Sequence, residues 1–286
     1  MLYSASHITR HIYQSPVSQS VNELRLTPRA LPHQQIRSFD LCLQPGPATL
    51  HRRNDYFGNE VTTAAIFETH SLFTIQANSI VEVRASSFEG LSSIAWEEAR
   101  EQIAAQPDDE NLQALEFVFD SPFVSQAPEL AEFARPTFTP GRPLVEALQE
   151  LSHRIYSEFR YQPKSTSIEM PLLEVLRKRH GVCQDFAHVM IGALRSLRLP
   201  ARYISGYLRS SPGNQGAEAS HAWVSAFVPG SGWLDFDPTN DVMPSDGHII
   251  LAWGRDYGDV TPVKGIAVGG GNHSVEVEVS VKPVIE

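Results

Sequence analysis

Cys183 is the residue whose surroundings most suggest chemistry, because it follows Gly181-Val182 directly at the predicted start of a helix. The first turn of a helix presents free backbone N–H groups and partial positive charge. Both stabilise a thiolate, and the same N–H groups can face the oxygen that gains charge when a thiolate attacks a carbonyl. A lone cysteine at such a place is otherwise a small buried side chain. A thiolate acyl-transfer site also needs a base, and the base needs an orienting partner. Ser220-His221-Ala222-Trp223 opens one predicted strand, and Trp233-Leu234-Asp235-Phe236-Asp237-Pro238-Thr239 forms a second strand and its exit. The turn Pro229-Gly230-Ser231-Gly232 joins them as a hairpin.

Counting along that hairpin with a four-residue loop pairs Val228 with Trp233, Val224 with Asp237 and His221 with Asn240. Asp237 then falls three residues short of His221, roughly 10 Å along the strand. Either a bulge or strong twist closes the gap, or Asn240 or Asp235 is the partner. Spacing alone leaves these alternatives open.

The positioning elements follow from apolar patterning. Up to about Arg84 the chain reads as short strands: Ile8 to Ile12, Phe39 to Leu43, Val61 to Phe67, Leu72 to Ile75 and Ile80 to Val83. The turn Asp55-Tyr56-Phe57-Gly58-Asn59 lies among them. This predicts an antiparallel β domain over 1–86. After it, helical patterning covers Ser92 to Ala105, Leu112 to Phe119, Pro128 to Ala134, Pro143 to Phe159, Pro171 to Arg179 and Cys183 to Leu197. In the fourth of these, Leu144, Leu148, Leu151, Ile155 and Phe159 form one stripe. Strands are expected at Ala201 to Leu208, Ala222 to Val228 and Trp233 to Asp237, with a strictly alternating last strand at Val275 to Val281. The class is therefore α+β, with residues 87–286 as the second domain and the C-terminal strand included in it.

The motifs together resemble the bacterial transglutaminase-like family. Gly181-Val182-Cys183-Gln184-Asp185-Phe186-Ala187-His188 resembles its nucleophile motif, and Pro200-Ala201-Arg202-Tyr203-Ile204-Ser205-Gly206-Tyr207-Leu208 the strand that follows. Ser220-His221-Ala222-Trp223 resembles its histidine motif, and Trp233 with Asp237-Pro238-Thr239-Asn240 its aspartate motif. The β-rich start with Asp55-Tyr56-Phe57-Gly58-Asn59 looks like the region preceding the catalytic core in many members. The resemblance implies a papain-like core in which the cysteine helix packs on an antiparallel sheet. It also implies a Cys183, His221, Asp237 triad, and it selects Asp237 over Asp235 and Asn240. The implied reaction is attack of the cysteine on a glutaminyl or peptide amide to give a thioester. Water as acceptor makes the protein a cysteine peptidase or amidase, and an amine makes it a protein-glutamine gamma-glutamyltransferase. A non-catalytic scaffold that kept the triad is the third reading.

Around the triad, Gln184, Tyr161, Trp223, Tyr207 and Asn240 are candidates for substrate or oxyanion contacts. Phe159 and the two tryptophans Trp223 and Trp233 read equally as packing. Gly254-Arg255-Asp256-Tyr257-Gly258-Asp259 reads either as a substrate rim or as a loop closed by an Arg255–Asp256 bridge. An exposed strand-and-loop rim, from about Arg209 to Ala219 and Ile249 to Val263, is expected around the thioester.

Composition excludes little but points one way. The chain has 286 residues, 33 acidic against 23 basic, for a net charge of −10. That balance disfavours nucleic-acid and anionic-membrane partners and says nothing about the substrate, which the family resemblance implies to be a protein or peptide. Two cysteines, Cys42 and Cys183, are too few for a disulfide scaffold. No metal or other cofactor is expected: His180, Cys183 and His188 do not converge as zinc ligands, and no acidic calcium loop is present. No apolar run approaches the roughly 18 residues of a membrane span. Met1 to His7 lacks the basic-then-apolar order of a secretory signal, so the expectation is a cytoplasmic protein.

Overall fold

The computed structural model describes residues 1–105, 109–163, 170–211 and 213–284. The N-terminal strands are β1 (Leu2–Leu24), β2 (Gln34–Gln44), β3 (Thr49–Asn54), β4 (Glu60–Ile66) and β5 (His70–Val83). The helical middle comprises α1 (Trp96–Ala105), α2 (Asp109–Leu115), a 3₁₀ turn at Glu116–Val118, α3 (Pro128–Ala134) and α4 (Leu144–Glu158). Then follow β6 (Arg160–Tyr161), α5 (Leu172–Lys178), β7 (His180–Gly181) and α6 (Cys183–Ser196). The rest is β8 (Ala201–Leu208), β9 (His221–Val228), β10 (Gly232–Phe236), β11 (His248–Gly254), α7 (Tyr257–Val260), β12 (Val263–Gly269) and β13 (His273–Pro283). Among the described residues, no helix is long and apolar enough to cross a membrane.

The expected α+β class and the cysteine helix on an antiparallel sheet are both present. The sheet runs β10-β9-β8-β11. Its even-numbered β9 residues Ala222, Val224, Ala226 and Val228 join Phe186, Met190 and Leu194 of α6 in one core. Trp223, Ile204 and Ile250 pack together on the other face. α6 is buried almost all round, so its sequence is apolar on more than one stripe. Asp185, His188 and Arg195 are its buried polar residues, and the Arg195 guanidinium donates to the carbonyls of Phe117 (2.8 Å), Ala201 (2.9 Å) and Arg255 (2.6 Å).

Four expectations need correction. The two short strands at 72–75 and 80–83 are one strand, β5, because Ala77 and Ser79 bury between them even though Asn78 and Ser79 interrupt the apolar run. β3 was not expected; its side chains are all exposed, so it carries no alternating pattern. β11, whose side chains are buried on both faces, is a largely apolar run of the buried-strand kind, not part of an exposed rim. Finally, the C-terminal strand does not belong with the second domain. β12 and β13 both pair antiparallel with β1, in the sheet ordered β2-β5-β1-β4-β3. Val279 and Val281 bury against Tyr3, Ala5 and Tyr207 there, while Glu278 pairs with Arg10 at 2.7 Å on the outer side. Strict alternation identifies a strand but not its partner, because pairing is non-local.

Candidate active site

Cys183 opens α6 and is 8% exposed. The turn before it is tied from both sides. Asp185 reaches back to accept from the Val182 N–H at 2.8 Å, which is its helix-capping role. Gly181 leaves that carboxylate its space. The short parallel pair β6–β7 sets Tyr161 beside Gly181, and so beside the cysteine.

His221 and Asp237 meet as the family resemblance implied, with Nε2 of His221 donating to Oδ2 of Asp237 at 2.8 Å. The register explains how. The hairpin pairs Gly232 with Val228 and Phe236 with Val224, one residue out from the count made above. Continuing this register puts Asp237 opposite Trp223 rather than Val224. A one-residue slip moves a side chain to the other face of a sheet, so Asp237 shares the face of His221 and becomes its diagonal neighbour. The strand then turns away, Asp237 pairing with Val242.

Asp237 is fully buried, and its carboxylate is the hub of the site. Oδ2 also accepts from Nε2 of His248 at 3.1 Å and from Nδ2 of Asn240 at 2.9 Å. Oδ1 accepts from the N–H groups of Thr239 (2.9 Å) and Asn240 (3.2 Å). Burial raises the carboxyl pKa, but the charge and hydrogen bonds of His221 and His248 outweigh it and hold the group well below the usual carboxylate range. Burial likewise opposes charge on His221, yet the Asp237 carboxylate, with a smaller contribution from Cys183, pushes that imidazole up to about 10. Nδ1 of His221 is buried without a hydrogen-bond partner, and Cys183 lies close enough to act on the imidazole. His221, Asp237 and His248 each offer one atom within 4.8 Å of the others, close enough to hold a metal ion. Three N–H donors already surround Oδ2, however, and that is the environment of a charged acceptor rather than of a cation's ligand.

His248 is the site residue that the sequence did not reveal. It opens β11, its ring centroid 5.1 Å from that of Trp223 in an edge-on arrangement, and no local pattern marks its partner. Asn240, a candidate for a substrate or oxyanion contact, binds Asp237 and holds Gln215, accepting from its N–H at 2.9 Å. Trp223 stacks on His221 at 6.0 Å and donates Nε1 to Asp235 at 3.0 Å, so both Trp223 and Asp235 support the hairpin. Tyr207 bonds His7 of β1 at 3.0 Å and lies in the interface with the N-terminal sheet. Gln184 is half-buried beside the cysteine. Tyr161 faces the site: burial, with Cys183, Asp237 and Glu218 adding, pushes its phenol up to about 12. Arg255 pairs with Asp259 at 2.8 Å and 2.9 Å, not with Asp256. Asp256 caps α7 through the Gly258 N–H.

The segment 209–219 of the expected rim keeps exposed residues, Ser210, Gly213, Glu218 and Ala219 among them, but it is tied down. Apart from Pro212, which lies outside the described residues, the segment 209–219 lies across the site as a strap. Ser210 N–H donates to the Val281 carbonyl (3.1 Å), and Val279 N–H to the Glu218 carbonyl (3.0 Å). Both ends of the strap are thereby bound to β13 of the N-terminal sheet. Gly216, at φ +84°, approaches the ring so closely that an added Cβ would stand 2.7 Å from Nδ1 of His221. Gly216→Ala should therefore displace the imidazole or the strap and lower kcat by about 10²-fold, and its strain at positive φ should lower the melting temperature as well. Unchanged kcat would show that the strap moves freely away from the ring.

Residues 3–82 match the bacterial transglutaminase-like N-terminal region, and residues 131–238 match the transglutaminase-like superfamily. An uncharacterised protein of Mycobacterium tuberculosis is 38% identical over 297 residues, which span 98% of this chain and 92% of that one.

The chain belongs to the transglutaminase-like superfamily.

A Mycobacterium leprae relative, also uncharacterised, is 33% identical over 96% of each chain. The transglutaminase-like core is similar too to a protein-glutamine gamma-glutamyltransferase of Pseudomonas aeruginosa. That likeness is 30% identity over 133 residues, 42% of this chain and 19% of that one. The transglutaminase-like fold extends over the whole chain in a solved structure from Cytophaga hutchinsonii, provisionally described as a cysteine protease. It superposes with a TM-score of 0.74 at 21% identity, covering 100% of this chain and 91% of that one.

Proposed function

We propose that this protein is a cysteine-nucleophile enzyme that attacks protein or peptide amide bonds, with Cys183 as nucleophile, His221 as base and Asp237 as orienter. The observation that carries this reading is the imidazole held between two partners. Nε2 is fixed on a buried carboxylate at 2.8 Å, and Nδ1 is left unbonded beside Cys183.

Because the imidazole pKa is pushed up to about 10, His221 is protonated before substrate arrives, and the sulfur attacks the carbonyl carbon as a thiolate partnered by the Nδ1–H. The helix N-terminus of α6 faces the developing oxyanion, with Tyr161 beside it. Because the phenol pKa is pushed up to about 12, Tyr161 keeps its proton at neutral pH and can donate it as a hydrogen bond. The C–N bond breaks as Nδ1 gives its proton to the leaving nitrogen, and a thioester remains. Nδ1 then takes a proton from water, whose oxygen attacks the thioester, and the thiol is regenerated with a carboxylic acid as product.

Water is the acceptor we assign. Tyr203, Tyr207 and Trp223 could in principle have lined a tunnel for a second substrate. They lie in three separate packing clusters instead. A second reading, transfer to an amine, is favoured by the strap over the site, since a covered thioester is sheltered from water. The discriminating experiment forms the acyl-enzyme and offers it a lysine analogue at about 5 mM. Water at roughly 55 M should take most of it by effective-concentration reasoning. A majority of isopeptide product would replace the hydrolase reading with the transferase one.

A further inference from the structure

Behind the catalytic sheet, on the face away from α6, lies a cavity of about 280 Å³. Its walls combine the far face of the sheet with segments of the N-terminal region, among them Leu31, His33 and Phe88. Arg202 of β8 projects into it. The guanidinium is sandwiched between two tryptophans of the same cavity wall, 4.2 Å from the Trp233 ring and 4.0 Å from the Trp253 ring. Stacking satisfies the faces of the cation but none of its five N–H donors. Among the described residues the guanidinium makes no hydrogen bond or ion pair, and its Nε is buried without a partner. An arginine remains charged at neutral pH even where burial lowers its pKa, as it does here.

The other charges nearby fix what would complete it. Asp235 shares the cavity wall, but its Oδ2 is taken by the Trp223 indole N–H at 3.0 Å. Arg29 stands over the other side of Trp253 at 3.5 Å, with its own donors directed to Asn59 and the Phe57 carbonyl. Asp235 faces Arg202 and Asp55 faces Arg29, so the charges are matched, and what Arg202 lacks is a hydrogen-bond acceptor for its guanidinium. Leu31, Phe88 and Ile250 supply apolar wall.

We infer that this cavity is a binding site for a small organic monoanion, a carboxylate on an apolar body, with Arg202 receiving the carboxylate in its fork. A planar guanidinium with a free edge matches a carboxylate bidentately. One unpartnered guanidinium fork suits a single carboxylate rather than a phosphate dianion, and the apolar wall suits a short hydrocarbon body. The site is separate from the thiol, yet His248 borders it and donates to Asp237 at 3.1 Å.

Trp233 and Trp253 make the site readable by intrinsic fluorescence in the full chain. Titration with hexanoate should give a saturable change, and hexanamide, the uncharged analogue, should bind at least ten-fold more weakly. Arg202→Met should weaken hexanoate by roughly ten- to a hundred-fold, the loss of a charge-assisted hydrogen-bonding pair. Should that variant fold poorly, Phe88→Glu serves as the second test, because Phe88 is 39% exposed at the cavity wall and a carboxylate there repels the ligand. No saturable change up to about 10 mM hexanoate, equal binding of hexanamide, or unchanged affinity in the folded variants would overturn the inference. Inorganic phosphate binding more tightly than hexanoate would overturn the assignment to a monocarboxylate.

Discussion

Cys183→Ala should abolish turnover of any amide substrate the wild-type protein cleaves, a loss on the order of 10⁴ or more. The size of the effect follows from the geometry around the sulfur. The imidazole is already fixed by Asp237 at 2.8 Å, and with the thiol gone no other nucleophile faces Nδ1. The substitution should leave the fold intact. Cys183 is 8% exposed at the first position of a helix, alanine is a good helix former, and only one sulfur is removed from the packing. A retained circular-dichroism spectrum and melting temperature, with turnover and thioester both lost, is the expected combination. An alanine variant that keeps near wild-type turnover would remove the thiol mechanism altogether and favour the scaffold reading.

The second large effect is expected at Asp237. Asp237→Asn keeps the shape but sets an amide where five N–H groups now converge on a carboxylate. kcat should fall by something on the order of 10²–10⁴, as loss of a histidine orienter does in other triads. Stability should fall as well, because buried donors on His221, His248 and Asn240 lose their charged acceptor. Asp235→Ala should leave kcat within about ten-fold, since Asp235 serves the Trp223 indole and its loss costs chiefly stability, about 1–3 kcal/mol for one orphaned buried donor. The reverse ranking of the two aspartates would refute the assignment.

The pair also fixes a pH signature. The folded pKa of His221 lies above its ordinary 6.5, at about 10. Its contribution to stability is therefore fully present below about 6.5 and is lost as pH rises through about 10. Asp237 is displaced downward, so its contribution is present above the ordinary carboxyl value and is lost only as pH falls through its lower folded value. The wild-type melting temperature should thus decline between pH 7 and pH 10. In Asp237→Asn that decline should move to lower pH, because the charge that raises the imidazole pKa is gone. Superimposable profiles would show that His221 is not charged by Asp237.

Much of this was legible in the residues themselves. α3 and β8 fall where apolar spacing put them, and α4, α5, α6 and β9 lie within a residue or two of expectation, because those signals are local: a period of 3.6 or 2, and prolines at helix starts. The cysteine at the start of a helix was likewise readable, since a helix terminus is defined by its own few residues.

The remaining features depend on pairings between distant parts of the chain. The register of β9 with β10 decides whether Asp237 shares a face with His221, and a loop one residue shorter reverses the answer. His248 reaches the same carboxylate from β11, a strand whose pairing with β8 no local pattern announces. The strap over the thiol is held by β13, which closes the sheet begun by β1 at the other end of the chain. Sequence by itself determined which side chains could do chemistry and which segments would be helix or strand, because both follow from residue type and near-neighbour spacing. Tertiary structure alone decided which of them meet, because strand partners, register and the burial of a carboxylate arise from contacts between residues far apart in the chain, where periodicity carries no information.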